Sequence, residues 1–109
     1  MTDETPERTD LVLTTTREDG VLVIAVAGEL DAFSAPSLEE LAADAGADGA
    51  PITLDLARTT FIDSSGLRSL LALHAKLERN GVALTLRAPS DPVTRLLGIT
   101  GLDTHFRFA

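Results

Sequence analysis

Phe61-Ile62-Asp63-Ser64-Ser65-Gly66-Leu67 stands between a strand-like run, Ile52-Thr53-Leu54-Asp55-Leu56, and a run in which Leu67, Leu70, Leu71, His74 and Leu77 recur at helical spacing. A strand hands over to a helix here, and a carboxylate and two hydroxyls fall on the junction. The first turn of a helix has free backbone N–H groups and a partial positive charge. Asp63 or Ser64 can therefore cap it while a neighbouring oxygen is left for other work. Advancing about 100° per residue, Ser65 shares a face with Arg68, Ser69, Ala72, Lys76 and Arg79, whereas Ser64 lies beside Leu71 at the edge of the apolar stripe. This phase predicts that Ser65 is the serine a partner reaches.

Upstream of the junction, Leu11 to Thr16 alternates as an outer strand, and Asp19-Gly20 supplies the positive φ that a tight hairpin turn needs. Val21 to Ala27 is apolar on both faces, which predicts a central strand covered from both sides. Gly28-Glu29-Leu30-Asp31 ends that strand. Ser34-Ala35-Pro36-Ser37 begins a helix with a capping serine and an early proline, its apolar face formed by Leu38, Leu41, Ala42 and Ala45, and Gly46 to Pro51 closes it.

Downstream, the second helix ends at Asn80-Gly81, with Lys76 and Arg79 in its last turn. Val82 to Arg87 reads as a fourth strand, Ser90-Asp91-Pro92 opens a short helix through Val93, Leu96 and Leu97, and Phe106 to Phe108 adds a last strand. The alternation predicts an α/β fold, a mixed sheet of four to five strands with helices packed on it. One domain is expected over residues 11–109, preceded by a polar lead-in, Met1 to Asp10, that does not pack.

Composition excludes several classes of function. Nine Lys and Arg against seventeen Asp and Glu give a net charge of −8, which opposes binding to a phosphate backbone. The longest apolar run, Val21 to Ala27, is far too short to span a membrane, and the amino terminus has no signal-peptide pattern. With no cysteine for a disulfide framework, a cytoplasmic location is expected. His74 and His105 are the only imidazoles and lack ligand spacing, so neither a metal site nor a cofactor is expected, and a helix start with one glycine is not a P-loop. A serine hydrolase using Ser64 or Ser65 needs a base within hydrogen-bond reach. His74, nine residues along the same helix from Ser65, is about 13 Å away at 1.5 Å per residue, which leaves only His105, and the glycine of a nucleophile elbow is missing. The chain is therefore read as not an enzyme.

Gly28-Glu29-Leu30-Asp31, then Phe61 to Leu67, then Val93-Thr94-Arg95-Leu96-Leu97 with Gly101-Leu102 resemble, in that order, the STAS-domain anti-sigma factor antagonists of bacteria, over roughly Leu11 to Phe108. The resemblance implies a binding module. In that family the second serine of Asp-Ser-Ser-Gly, here Ser65, is phosphorylated by an anti-sigma factor that is itself a serine kinase. The unphosphorylated form sequesters that kinase and releases a sigma factor for transcription, and a serine phosphatase resets the cycle. The same mapping implies a partner surface that includes Asp31, Asp63, Ser64, Gly66 and Arg68. Relatives often carry a further helix after the last strand, a departure that bears on the packing of Phe106 and Phe108. STAS domains also occur in stress-signalling assemblies and in membrane lipid-transport complexes, so a subunit of one of those is the alternative expectation.

Overall fold

In the computed structural model, which describes residues 11–109, β1 (Leu11–Glu18) and β2 (Val21–Leu30) form an antiparallel hairpin. Its turn takes φ of 52° at Asp19 and 83° at Gly20, the left-handed pair that matches strand twist. The lead-in over residues 1–10 lies outside the described residues. α1 (Ala35–Ala45), β3 (Ile52–Asp55), β4 (Thr59–Ile62), α2 (Ser64–Arg79), β5 (Leu84–Arg87), α3 (Asp91–Thr100) and β6 (Arg107–Phe108) follow in chain order. The sheet runs β1-β2-β3-β5-β6, antiparallel only between β1 and β2, with β4 pairing beside β2.

The sheet is mixed, as the alternation predicts, but it has six strands among the described residues. The unforeseen one is β4. Its opening Thr59-Thr60 looks like loop sequence, yet Thr59 is buried and satisfied, its hydroxyl donating to the Val26 carbonyl at 2.8 Å. β2 is also longer than Val21 to Ala27. At Gly28, where φ is 113° and the register shifts, β2 changes its partner from β3 to β4 and continues to Leu30. The junction at Asp63 therefore leaves a strand held directly against the end of β2.

One face of the sheet carries the core. Leu22, Ile24, Val26, Ile52, Leu54, Leu84 and Leu86 alternate onto it and pack with Leu38 of α1, Leu70 and Leu77 of α2, and Val93 and Leu97 of α3. The other face has no helix on it among the described residues, which corrects the expectation of a strand covered on both sides. Ala25 and Ala27 are half-buried there, and Val23, though only 4% exposed, stands outside the core cluster. Small and β-branched side chains shield one another on a pleated surface, so an unbroken apolar run did not require a second layer. At the far end of the sheet Phe106 is buried and Phe108 is exposed.

Arg87 joins elements across the open face, donating to Asp55 at 3.1 Å and to Glu18 at 3.2 Å. The Asp55 carboxyl is held below its ordinary pKa, first by the Ala57 N–H that it accepts at 3.1 Å and then by Arg87. A depressed carboxylate contributes stability that is complete above its unfolded pKa of about 3.9 and lost as pH falls through the folded value. Asp55→Asn is therefore expected to flatten acid-induced destabilisation below about pH 4 and to leave the slope above it unchanged, as read by urea midpoints across pH. An unaltered acid limb contradicts this.

Candidate functional site

Two strand ends build the site. Leu30 pairs with Ile62 across the parallel β2 and β4, so Asp31 and Asp63, one residue beyond each, leave the sheet side by side. Asp63 is the N-cap of α2, with extended backbone and a carboxylate accepting the Gly66 N–H at 2.9 Å. Capping is thus accomplished by Asp63, and Ser64 and Ser65 fall on the first helical turn. Among the described residues, neither serine hydroxyl makes a hydrogen bond.

Asp31 organises the other half. Its carboxylate accepts the N–H groups of Phe33 and Ser34, each at 3.0 Å, while the Ser34 hydroxyl donates to the Glu29 carbonyl at 2.7 Å and accepts the Asp31 N–H at 3.1 Å. Ser34 does precede α1, but its side chain makes no cap bond to the helix, because that hydroxyl is used to close the β2–α1 turn. The turn is fixed against the edge of β2 and holds Asp31 half-buried.

The two serines do not stand as the helical phase predicts. Ser64 is exposed and Ser65 is half-buried. The apolar stripe is centred elsewhere, because Leu73 is buried at 2% exposure whereas Leu71 is only half-buried. With Gly66, Leu67, Leu70, Leu73 and Leu77 as the buried set, both serines lie roughly 130° from its centre, on opposite flanks. α1 packs along the Ser65 flank, where Ser69 donates to Glu39 at 2.5 Å. Ser65 therefore faces the crevice beside α1, and Ser64 faces solvent.

Gly66 is not a surface residue, which corrects its expected place in a partner surface. A Cβ there would overlap the Leu30 carbonyl oxygen and approach Ile62 Cγ1 to 3.0 Å. It is the point where α2 touches the end of β2, and only a residue without a side chain fits. Arg68 is exposed one turn into α2, with no ion pair among the described residues.

Two aromatic residues of the site escaped the sequence reading. Phe33 is 65% exposed and Phe61 is 45% exposed, one just after Asp31 and one just before Asp63. Beside Phe61 an open groove of about 330 Å³ runs between β4 and α3, bordered by Arg95 and Ile99. The available signal was that two of only four phenylalanines stand two residues from the aspartates of the site. An exposed, partly apolar surface around two unbonded hydroxyls suits contact with another protein.

Neither imidazole belongs to this constellation. His105 packs edge-to-face on His74 with ring centroids 5.2 Å apart, and Phe106 completes the cluster at 5.4 Å from His74. His105 thus stands beside His74, and His74 is about 13 Å along α2 from Ser65. Among the described residues no group of three or more His, Cys, Asp or Glu is arranged to hold a metal, and no helix is long and apolar enough to cross a membrane.

A mixed sheet with helices on one face and an Asp-Ser-Ser-Gly turn at its end defines a STAS domain; the model of that family matches residues 13–109, and the chain belongs to it. The chain is 34% identical over 94 residues to the anti-sigma-B factor antagonist of Staphylococcus aureus, a match covering 85% of this chain and 87% of that protein. Among solved structures, an anti-sigma factor antagonist from Mycobacterium paratuberculosis superposes with a TM-score of 0.74 at 33% identity, covering 94% of this chain and 89% of that one. The anti-sigma factor antagonist SpoIIAA in its unphosphorylated form superposes at 0.72 with 26% identity, over 90% of this chain and 88% of that one.

Proposed function

We propose that this protein is an anti-sigma factor antagonist, a binding module and not a catalyst, whose partner is an anti-sigma factor with serine kinase activity. The unphosphorylated form binds that partner and so releases a sigma factor for transcription. Phosphorylation of Ser65 turns binding off, and a serine phosphatase restores it, in a cytoplasmic setting. The observation that carries this reading is the division of labour at the α2 start: Asp63 occupies the cap, and the hydroxyls of the exposed Ser64 and the half-buried Ser65 are left unbonded. Similarity to proteins named as anti-sigma factor antagonists supports it.

In the modification step the Ser65 Oγ–P bond forms as the bond from the γ-phosphorus of ATP to its bridging oxygen breaks. ADP leaves, and the hydroxyl proton passes to a base on the kinase. A helix N-terminus tolerates the added charge of about −1.5 to −2, and the fold should persist. Incubation with the cognate kinase and labelled ATP tests the assignment. Ser65→Ala is expected to abolish incorporation and retain binding; undiminished labelling of that variant moves the modification to the more exposed Ser64.

A further inference from the structure

We infer that Arg68 engages the phosphate carried by Ser65, so that part of the added charge is offset within the chain itself; this rests on the reading of Ser65 as the phosphorylated residue. Ser65 and Arg68 are three residues apart inside α2, the spacing at which helical side chains meet. By helical phase Arg68 falls between the two serines, about 60° from Ser65 and about 40° from Ser64; Arg68 and Ser64 are exposed and Ser65 is half-buried at the α1 flank.

Among the described residues, Arg68 is the cation that α2 itself carries within a turn of Ser65. Asp31 and Asp63 border it from the two strand ends, and each already accepts backbone N–H groups. From α1, Glu39 is bonded to Ser69 one turn further on. A dianion on Ser65 therefore meets carboxylates on the sheet side and on the α1 side. The Arg68 guanidinium, which has no ion pair among the described residues, is one turn away along the helix. A guanidinium presents paired donors that match two phosphate oxygens, and the pair forms without displacing an existing partner.

The consequence is regulatory. A single guanidinium offsets only part of a charge of about −1.5 to −2, so the modified surface stays negative, while the guanidinium is withdrawn from any contact it offers in the unmodified state.

The test needs no kinase. Protein made with phosphoserine inserted at position 65 during translation is titrated by ³¹P NMR, in the wild-type background and with Arg68→Gln or Arg79→Gln. Carboxylates and helix start are common to all three samples, so a difference isolates the guanidinium. Arg68→Gln is expected to raise the second phosphate pKa by about half a unit or more, and Arg79→Gln, at the far end of α2, to leave it in place. The Arg68 Nε–H resonance should shift with the same midpoint as the phosphorus signal. Coincident titration curves for wild type and Arg68→Gln overturn the inference. Because the phosphate is installed directly, a kinase that ignores Ser65 refutes the functional reading and leaves this result intact.

Discussion

Ser65→Asp is expected to lose more than a hundredfold in affinity for the kinase partner while melting within a few degrees of the parent. The carboxylate lies on the first turn of α2, where the helix start tolerates negative charge. In the complex the same group is desolvated next to Asp31 and Asp63, and the single guanidinium of Arg68 offsets only part of that clustered negative charge. A penalty of about 3 kcal/mol for that mismatch corresponds to a loss of about two orders of magnitude. Calorimetric titration and a thermal melt on the same preparation check both halves. Unchanged affinity refutes the switch, and a melt lowered by more than about 8 °C, beyond what roughly 1 kcal/mol produces in a domain this size, assigns Ser65 to the stability of α2 instead.

Gly66→Ala is expected to destabilise the domain by about 3 kcal/mol, a fall of roughly 10 °C or more in Tm. Two effects compete. Alanine favours a helix by about 1 kcal/mol over glycine, but the new methyl overlaps the Leu30 carbonyl oxygen, a backbone atom of the central strand that cannot rotate away. Either α2 lifts off β2 or β2 bends, and both damage packing around Leu67 and Leu70. Gly98→Ala is the matched control. It lies within α3 with nothing within 4 Å of its added carbon, and should be neutral or slightly stabilising. Equal melts for Gly66→Ala and its parent contradict the close approach that positions the site.

Much of this fold is legible in the sequence because local chemistry and tertiary demand agree. Asp19-Gly20 can scarcely be anything but a tight turn, and φ of 52° and 83° there bear it out. β4 was illegible for the opposite reason. Four residues beginning with two threonines carry no period, and only the Val26 carbonyl, supplied from another strand, makes a buried Thr59 acceptable. The site divides along the same line. The Asp-Ser-Ser-Gly block was evident from residue types alone, but the serines' exposures depend on which flank α1 covers. Taking Leu71 in place of Leu73 as a stripe member moved the apparent centre of the helix face toward Ser64. Gly66 was misread because a residue beside two serines resembles surface, whereas its reason for being glycine is the carbonyl of a strand more than thirty residues earlier.

The most direct measurement compares the protein phosphorylated at Ser65 with its dephosphorylated counterpart, each titrated into the ADP-bound anti-sigma factor kinase and each recorded as an amide NMR spectrum. The dephosphorylated form should bind tightly and the phosphorylated form over a hundredfold more weakly, with amide shifts confined to the start of α2 and the Asp31 turn. Equal affinities, or shifts spread through the core strands, would contradict a switch that acts by charge at one hydroxyl.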